Sequence, residues 1–436
     1  MTMTRQQLFW YLTICSILLA PSIVLGDWPQ FRGPWGMGIA SAPGDAKPLG
    51  LPLNWSETEN VTWKTAIPHR GWSTPVVMDG RVWLTTATIE GHDFFVICLD
   101  ASSGQVLLNR RLFHTDNPEP LGNDVNCYAS PSPVVEPGRV YISFGSYGTA
   151  CLDTTTHKEL WRRTDIPCRH YRGPGSSPIL FENLLIITLD GVDLQYVIAL
   201  DKKTGQTIWK TDRTANWDDL DDDGKPHSEG DLRKAFSTPI IVKVNGKTQM
   251  ISAGSKAAYG YDPATGHELW KVRHIDYTSA TSPLFAKGTT YILTGFGRAE
   301  MFAIDATGTG DVTDSNVLWK IRRNMPRTPS PLLIGDIIYT LADNGVVSCL
   351  EAATGEQIWR QRIEGDYASS LLYADERIYC FSRDGVATVL KAGRTFEALS
   401  TNTLDSGFMA SPAASDGALF LRTKTHVYKI EASKSK

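Results

Sequence analysis

Along most of the chain, short apolar runs with period-two alternation are separated by Gly, Asn and Asp turns, the pattern of half-buried strands in hairpins. The clearest unit runs from Ser176 to Trp209, where "SSPIL", "LLIITL", "YVIALD" and "KKTGQTIW" read as four short antiparallel strands with their turns. The same opening, a Ser or Thr followed by Pro and apolar residues, recurs at Ser73, Ser132, Ser237, Ser282, Ser330 and Ser411, and at Ser369 without the Pro. With Ser176 this makes eight units, spaced by about forty to sixty residues, the period of propeller blades. The third strand returns as "CLD" at Cys98 and Cys151, "ALD" at Ala199, "GYD" at Gly260, "AID" at Ala303 and "CLE" at Cys349. Units close on Trp161, Trp209, Trp270, Trp319 and Trp359, each a large rigid side chain suited to the wedge between neighbouring blades.

The eighth unit supplies three strands and then ends in "YKIEASKSK". Its missing strand stands at the other end as "NVTWKTAIP", residues 60–68, where Trp63 and Lys64 match the Trp209–Lys210 and Trp270–Lys271 pairs. A ring closed in this way has no free sheet edge and ties both ends into one blade. The predicted fold is therefore all-β: an eight-bladed β-propeller of four-stranded antiparallel blades over residues 60–431, closed by an N-terminal strand, with a tail at 432–436. The pattern A-x-D-x-x-T-G-x-x-x-W, complete from Ala199 to Trp209 and nearly so at Gly260–Trp270 and Cys349–Trp359, resembles the tryptophan-docking repeat of pyrroloquinoline-quinone propellers. That superfamily includes quinoprotein alcohol dehydrogenases and the propeller lipoprotein of the outer-membrane β-barrel assembly machine. The resemblance implies the fold much more strongly than a function. "DWPQFRGPWGMG" at 27–38, with "RGPGSSPILFENLLIITLDGVDLQY" and "DLRKAFSTP", is similar to bacterial secreted proteins of this quinoprotein-like class. The Gly- and Pro-rich stretch 27–59 is expected to lie on the propeller as an extended arm.

Ahead of the arm, Arg5 and an apolar run from Leu8 to Leu25 predict a signal peptide over 1–26, cleaved between Gly26 and Asp27. Thr13, Ser16, Pro21 and Ser22 interrupt the run and argue against a permanent anchor, and Ile14 stands where lipid attachment at Cys15 needs a small residue. No second apolar stretch is long enough to span a membrane, so a periplasmic or secreted protein is expected. The formal net charge of −4 offers no basic surplus for nucleic acid.

In a four-stranded blade, the connector into the inner strand and the turn between strands two and three share one face. That face carries the long insertions, 113–128, 211–236 and 320–327, while the other has short turns such as "MDG", "EPG" and "KTG". Functional groups collect on loops held by a rigid scaffold, so the site is expected on the long-loop face. Just before the inner strands stand Arg70, Trp72, Tyr128, Arg169, His170, Arg172, Arg233, Tyr277, Arg327 and Tyr367. Their convergence would give a basic, aromatic-lined funnel for a small planar or anionic ligand. The competing reading is that the aromatics plug the funnel and the arginines bond to loop carbonyls.

Three further expectations concern chemistry. Larger quinoprotein dehydrogenases share an adjacent cysteine pair and a Ca²⁺ held by Glu, Asn and Asp; this chain has no Cys-Cys and no Cys-x-x-Cys-His. It also lacks His-Glu-x-x-His and Gly-x-Ser-x-Gly. Asp219, Asp221 and Asp223 before Gly224 follow the D-x-D-x-D-G order of a Ca²⁺ loop, although Gly230 stands where a full loop needs Glu; the alternative is a solvated acidic loop. Cys127 and Cys168 lie in connectors entering neighbouring blades, where an exported protein would be expected to pair them, whereas Cys98, Cys151, Cys349 and Cys380 read as small core residues. The sequence thus points to an exported, non-catalytic binding or scaffold propeller for an envelope protein or small ligand. The alternative is a periplasmic pyrroloquinoline-quinone-dependent oxidoreductase.

Overall fold

The computed structural model describes residues 26–41 and 48–432; the predicted signal peptide, apart from Gly26, and the 433–436 end of the tail lie outside the described residues. Eight antiparallel sheets follow one another around a ring, at 76–114, 134–163, 179–212, 240–273, 284–321, 332–362, 372–403 and 413–431, here blades 1 to 8. Blade 8 is completed by Val61–Ala66, which pairs antiparallel with His426–Glu431 and becomes its outermost strand, as the sequence requires. The alternation read from sequence serves two interfaces at once. In blade 1, Val82, Leu84, Ile97 and Leu99 pack with blade 8 residues such as Val427 and Tyr428. The residues between them, Trp83, Val96 and Cys98, pack with Val140, Ile142 and Ala150 of blade 2. Strands buried on both faces hold the ring together through the joints between blades, with no single central core.

Two repeated contacts explain the motif. Trp63, Trp161, Trp209, Trp319 and Trp359 donate their indole N–H to backbone carbonyls of the next blade, at Ala101, Lys202, Pro263, Ala352 and Gly393, over 3.0–3.2 Å. Gly104, Gly205, Gly266 and Gly355 lie against four of these rings with φ of 72–74°, and an added Cβ would stand only 2.4–2.9 Å from the indole. The T-G step is therefore required both for its left-handed backbone and for close approach. Trp270 departs from this expectation: its indole donates to Gln249 within its own blade. A short parallel strand from blade 5, Gly310–Asp311, instead covers the outer edge there.

The second contact is a belt near the axis. In six of the eight openings the Ser or Thr at the end accepts a hydrogen bond from the equivalent N–H of the preceding blade: Thr74 to Ser132, Ser132 to Ser177, Ser177 to Thr238, Ser282 to Ser330, Ser330 to Ser370 and Ser370 to Ser411, all at 2.9–3.1 Å. In all but Ser370 and its neighbour Leu371, a following Pro confines the residue to extended backbone, which aims its hydroxyl consistently.

The arm crosses the inner strands. Trp28 exchanges backbone hydrogen bonds with Val77 of blade 1, Pro29 accepts from Val135 of blade 2, and Gly38 and Ala40 bond to Tyr373 of blade 7. Between these points Arg32 is fully buried and donates to carbonyl oxygens of Ser330, Pro331 and Met37. With carbonyls as its bonded partners, burial pushes its guanidinium down to about 9. Among the described residues no helix is long and apolar enough to cross a membrane.

Candidate functional site

The eight connectors surround a cavity of about 440 Å³ on the propeller axis, and every blade contributes to it, from Trp72 of blade 1 round to Met409 of blade 8. Phe31 of the arm lines the same cavity. The walls carry the rings of Trp72, Phe236, Tyr277 and Phe296, together with belt residues Ser177, Thr238, Ser370 and Ser411.

One charged cluster breaks this wall. Arg172 makes a fork-to-fork ion pair with Asp231, Nε to Oδ1 and Nη2 to Oδ2 both at 3.2 Å, while its guanidinium lies 4.8 Å from the Tyr171 ring centre. Lys234, nearly buried, donates to the Asp231 backbone carbonyl at 2.6 Å and to the Asp231 carboxylate. Burial alone would push the Asp231 carboxyl up; Arg172 and Lys234 outweigh it and hold the group below the usual range. All three residues line the cavity, which therefore carries two cations and one anion.

Of the ten predicted ligand residues, the structure brings Trp72, Arg172 and Tyr277 to the cavity lining. Arg70 lies between Trp72 and Asp124, and Arg327 lies over the cavity residue Phe296, 6.0 Å from its centre. The other five do not line the cavity. Arg233 is paired with Asp219 and stacks on Trp217; Arg169 is paired with Glu119 and exposed. Tyr128 is buried with its hydroxyl on the Glu119 carbonyl, and Tyr367 is buried with its hydroxyl on the Glu364 carbonyl. His170 is buried against Gly145, and burial lowers its imidazole to about 4. Neighbouring side chains part there: Lys234, Phe236, Thr328, Ala368 and Met409 reach the cavity while their neighbours Arg233, Arg327, Tyr367 and Phe408 do not, Arg233 being turned away by the tight turn in which its N–H meets the Gly230 carbonyl. The sequence signal for Lys234 and Phe236 was their i, i+2 spacing within "DLRKAFSTP".

Two other expected groupings are not brought together in the structure. Asp219, Asp221 and Asp223 do not gather around one point: Asp219 is held by Arg233 at 2.6 and 2.9 Å, and Asp221 accepts from the N–H groups of Asp223 and Lys225. Among the described residues no group of three or more His, Cys, Asp or Glu side chains is placed to hold a metal ion. Cys127 and Cys168 are free and face different surroundings. The Cys127 sulfur lies 3.4 Å from the Ser130 hydroxyl, on the side of Trp72 and Arg422, whereas Cys168 faces Gly191 and Leu194 of blade 3.

The chain matches the model of the family described as outer membrane protein assembly factor BamB, over residues 96–211, 195–313 and 311–403. It belongs to this family of quinone-repeat propellers. No curated protein sequence matches this BamB-family chain. Among solved structures it is similar to BamB from Moraxella catarrhalis, with a TM-score of 0.58 and 12% identity over 85% of this chain and 99% of that one. It is also similar to the quinohemoprotein alcohol dehydrogenase from Comamonas testosteroni, with a TM-score of 0.66 and 14% identity over 94% and 81%. A third likeness is to the computationally designed Ika8 protein, with a TM-score of 0.56 and 13% identity over 87% and 100%. At these identities the likeness is one of fold. The BamB-family cavity does not offer the oxygen-rich set that a quinone-bound Ca²⁺ would need. Its one carboxylate, Asp231, faces two cations, and the Asn126 amide donates to the carbonyls of Arg172, Gly173 and Pro174.

Proposed function

We propose that this chain is an exported, non-catalytic binding protein of the cell envelope that receives a small anionic ligand, or an anionic group of an envelope partner, in the axial cavity. The observation that carries this reading is the pairing of an aromatic-walled cavity of about 440 Å³, lined also by Phe31 of the arm, with the half-buried Arg172 and the buried Lys234. Concave, largely apolar sites with a few placed polar groups are the usual form of ligand sites, and this volume lies in their range. The family description, an outer membrane protein assembly factor, supports an envelope location and an envelope partner. The alternative is a quinone-dependent oxidoreductase, the activity named for the Comamonas testosteroni propeller of similar fold. Purified protein incubated with pyrroloquinoline quinone and Ca²⁺ tests the choice. The proposal expects no dye reduction with alcohols, whether or not the quinone is held as an aromatic anion, and such reduction would favour the enzyme.

A further inference from the structure

The cation pair of the cavity is already filled, by a carboxylate of the chain itself. Arg172 presents its fork to both oxygens of Asp231, and Lys234 adds a third charged contact, so the local geometry is that of a seat for one carboxylate. The two Arg172 contacts, at 3.2 Å, are longer than the 2.7–2.9 Å common for such pairs, which leaves the seat open to a better-placed anion. Beyond it lies the space bounded by Trp72, Phe236, Tyr277 and Phe296, matched to a flat apolar body.

The two sides of the pair are anchored differently. Arg172 has φ of 78° and sits on a connector tied by its own N–H to Pro120 and by Asn126 to three successive carbonyls. Asp231 ends the turn 227–231, in which Ser228 and Glu229 are consecutive left-handed residues with φ of 51° and 54°. Non-glycine residues resist that conformation, so the turn depends on contacts that hold it in place. Among the described residues its ion pair beyond the neighbouring Lys234 is the one with Arg172, beside the bond from the His227 N–H to the Asp219 carbonyl that holds its start. A second cleft, between Glu119, Arg169, Tyr171 and Glu229, is also lined by Arg172 and Asp231, so this one pair stands as the partition between cleft and cavity.

We propose that Asp231 is an internal competitor for the ligand. A carboxylate borne on a flat aromatic body takes its place on Arg172 and Lys234, releases the 227–231 turn, and joins the side cleft to the axial cavity. This rests on the reading of the cavity as a binding site and adds its ligand class and its regulation.

The test uses the full-length mature protein with 2-naphthoate as probe and 2-naphthamide as its neutral counterpart, measured by calorimetry. Asp231→Asn removes the competitor and should tighten naphthoate binding at least about tenfold, while naphthamide affinity stays the same in both proteins. In the wild-type protein, saturating naphthoate should speed cleavage after Glu229 by a Glu-specific protease, a readout that needs no variant to fold. Equal naphthoate affinity in wild type and Asp231→Asn, slower cleavage on binding, or no binding by either protein overturns the proposal. Envelope capture by the wild-type protein despite such a failure would leave the binding role standing, so the two ideas fail separately.

Discussion

Replacing Trp63 with Ala tests the joint at which the ring closes. Trp63 is 8% exposed, packs on Phe420 with ring centres 6.0 Å apart, and donates to the Ala101 carbonyl at 3.1 Å. Removing a buried Trp leaves a cavity as well as losing transfer free energy, together about 3–5 kcal/mol, of which about 1 kcal/mol is the hydrogen bond. Trp209, 9% exposed and bonded to Pro263 at 3.2 Å, makes the same contact between covalently continuous blades 3 and 4 and serves as the control. If Val61–Ala66 is the true closing strand, the two substitutions should lower unfolding free energy in urea by amounts within about 1 kcal/mol of each other. Gly104→Ala adds a Cβ 2.6 Å from the Trp63 ring at φ of 72°, so it should also destabilise, and less in the Trp63→Ala background, where the ring is gone. Hydrogen exchange should rise first in Val61–Ala66 and His426–Glu431. A loss under about 1 kcal/mol for Trp63→Ala beside a full loss for Trp209→Ala would refute the closure.

Three other outcomes are expected. Arg213 and Asp190 form an ion pair 1% and 2% exposed between blades 3 and 4, so Arg213→Ala should destabilise by about 3–5 kcal/mol because it strands a buried carboxylate, as read by denaturant unfolding. His170 and His274 are both lowered to about 4 by burial; the unfolded chain therefore binds their protons more readily, and stability should fall from pH 6.5 toward 4, by on the order of 3 kcal/mol for each histidine. His274→Leu should remove part of that slope in a melting series, and an unchanged slope would clear this histidine of a role. Cys127 and Cys168 should be recovered as free thiols by mass mapping without reduction, with no change in melting on adding reductant; a linked peptide pair would overturn their placement.

The fold was legible because a propeller repeats its evidence. Eight openings, the T-G turns and the docking tryptophans each state the same geometry, and the match of Trp63–Lys64 to later pairs located the closing strand before any contact was known. Trp270 misled because its partner loop in blade 5 carries the insertion that forms Gly310–Asp311, a non-local effect. The site was less legible, since it is built once. Connector position could be inferred from sequence, but the direction of each side chain within a connector could not, so Arg233 was expected where Lys234 stands. Asp219 looked like a cation ligand until Arg233, fourteen residues on, proved to be its partner. Phe31 was part of a recognised arm, yet its entry into the cavity depends on the Arg32 anchor at Ser330 and Pro331, about three hundred residues away.

The central claim is that the axial cavity binds through its cations. The direct measurement is recovery of the protein from its native envelope, with bound small molecules identified by mass spectrometry and partners by cross-linking, for the wild type and for an Arg172→Gln, Lys234→Gln double variant. Both proteins must remain folded, as judged by their melting transitions. The wild type should retain a ligand or partner that the double variant loses by at least about tenfold, a difference of about 1.4 kcal/mol. Equal retention by the two proteins would contradict the account.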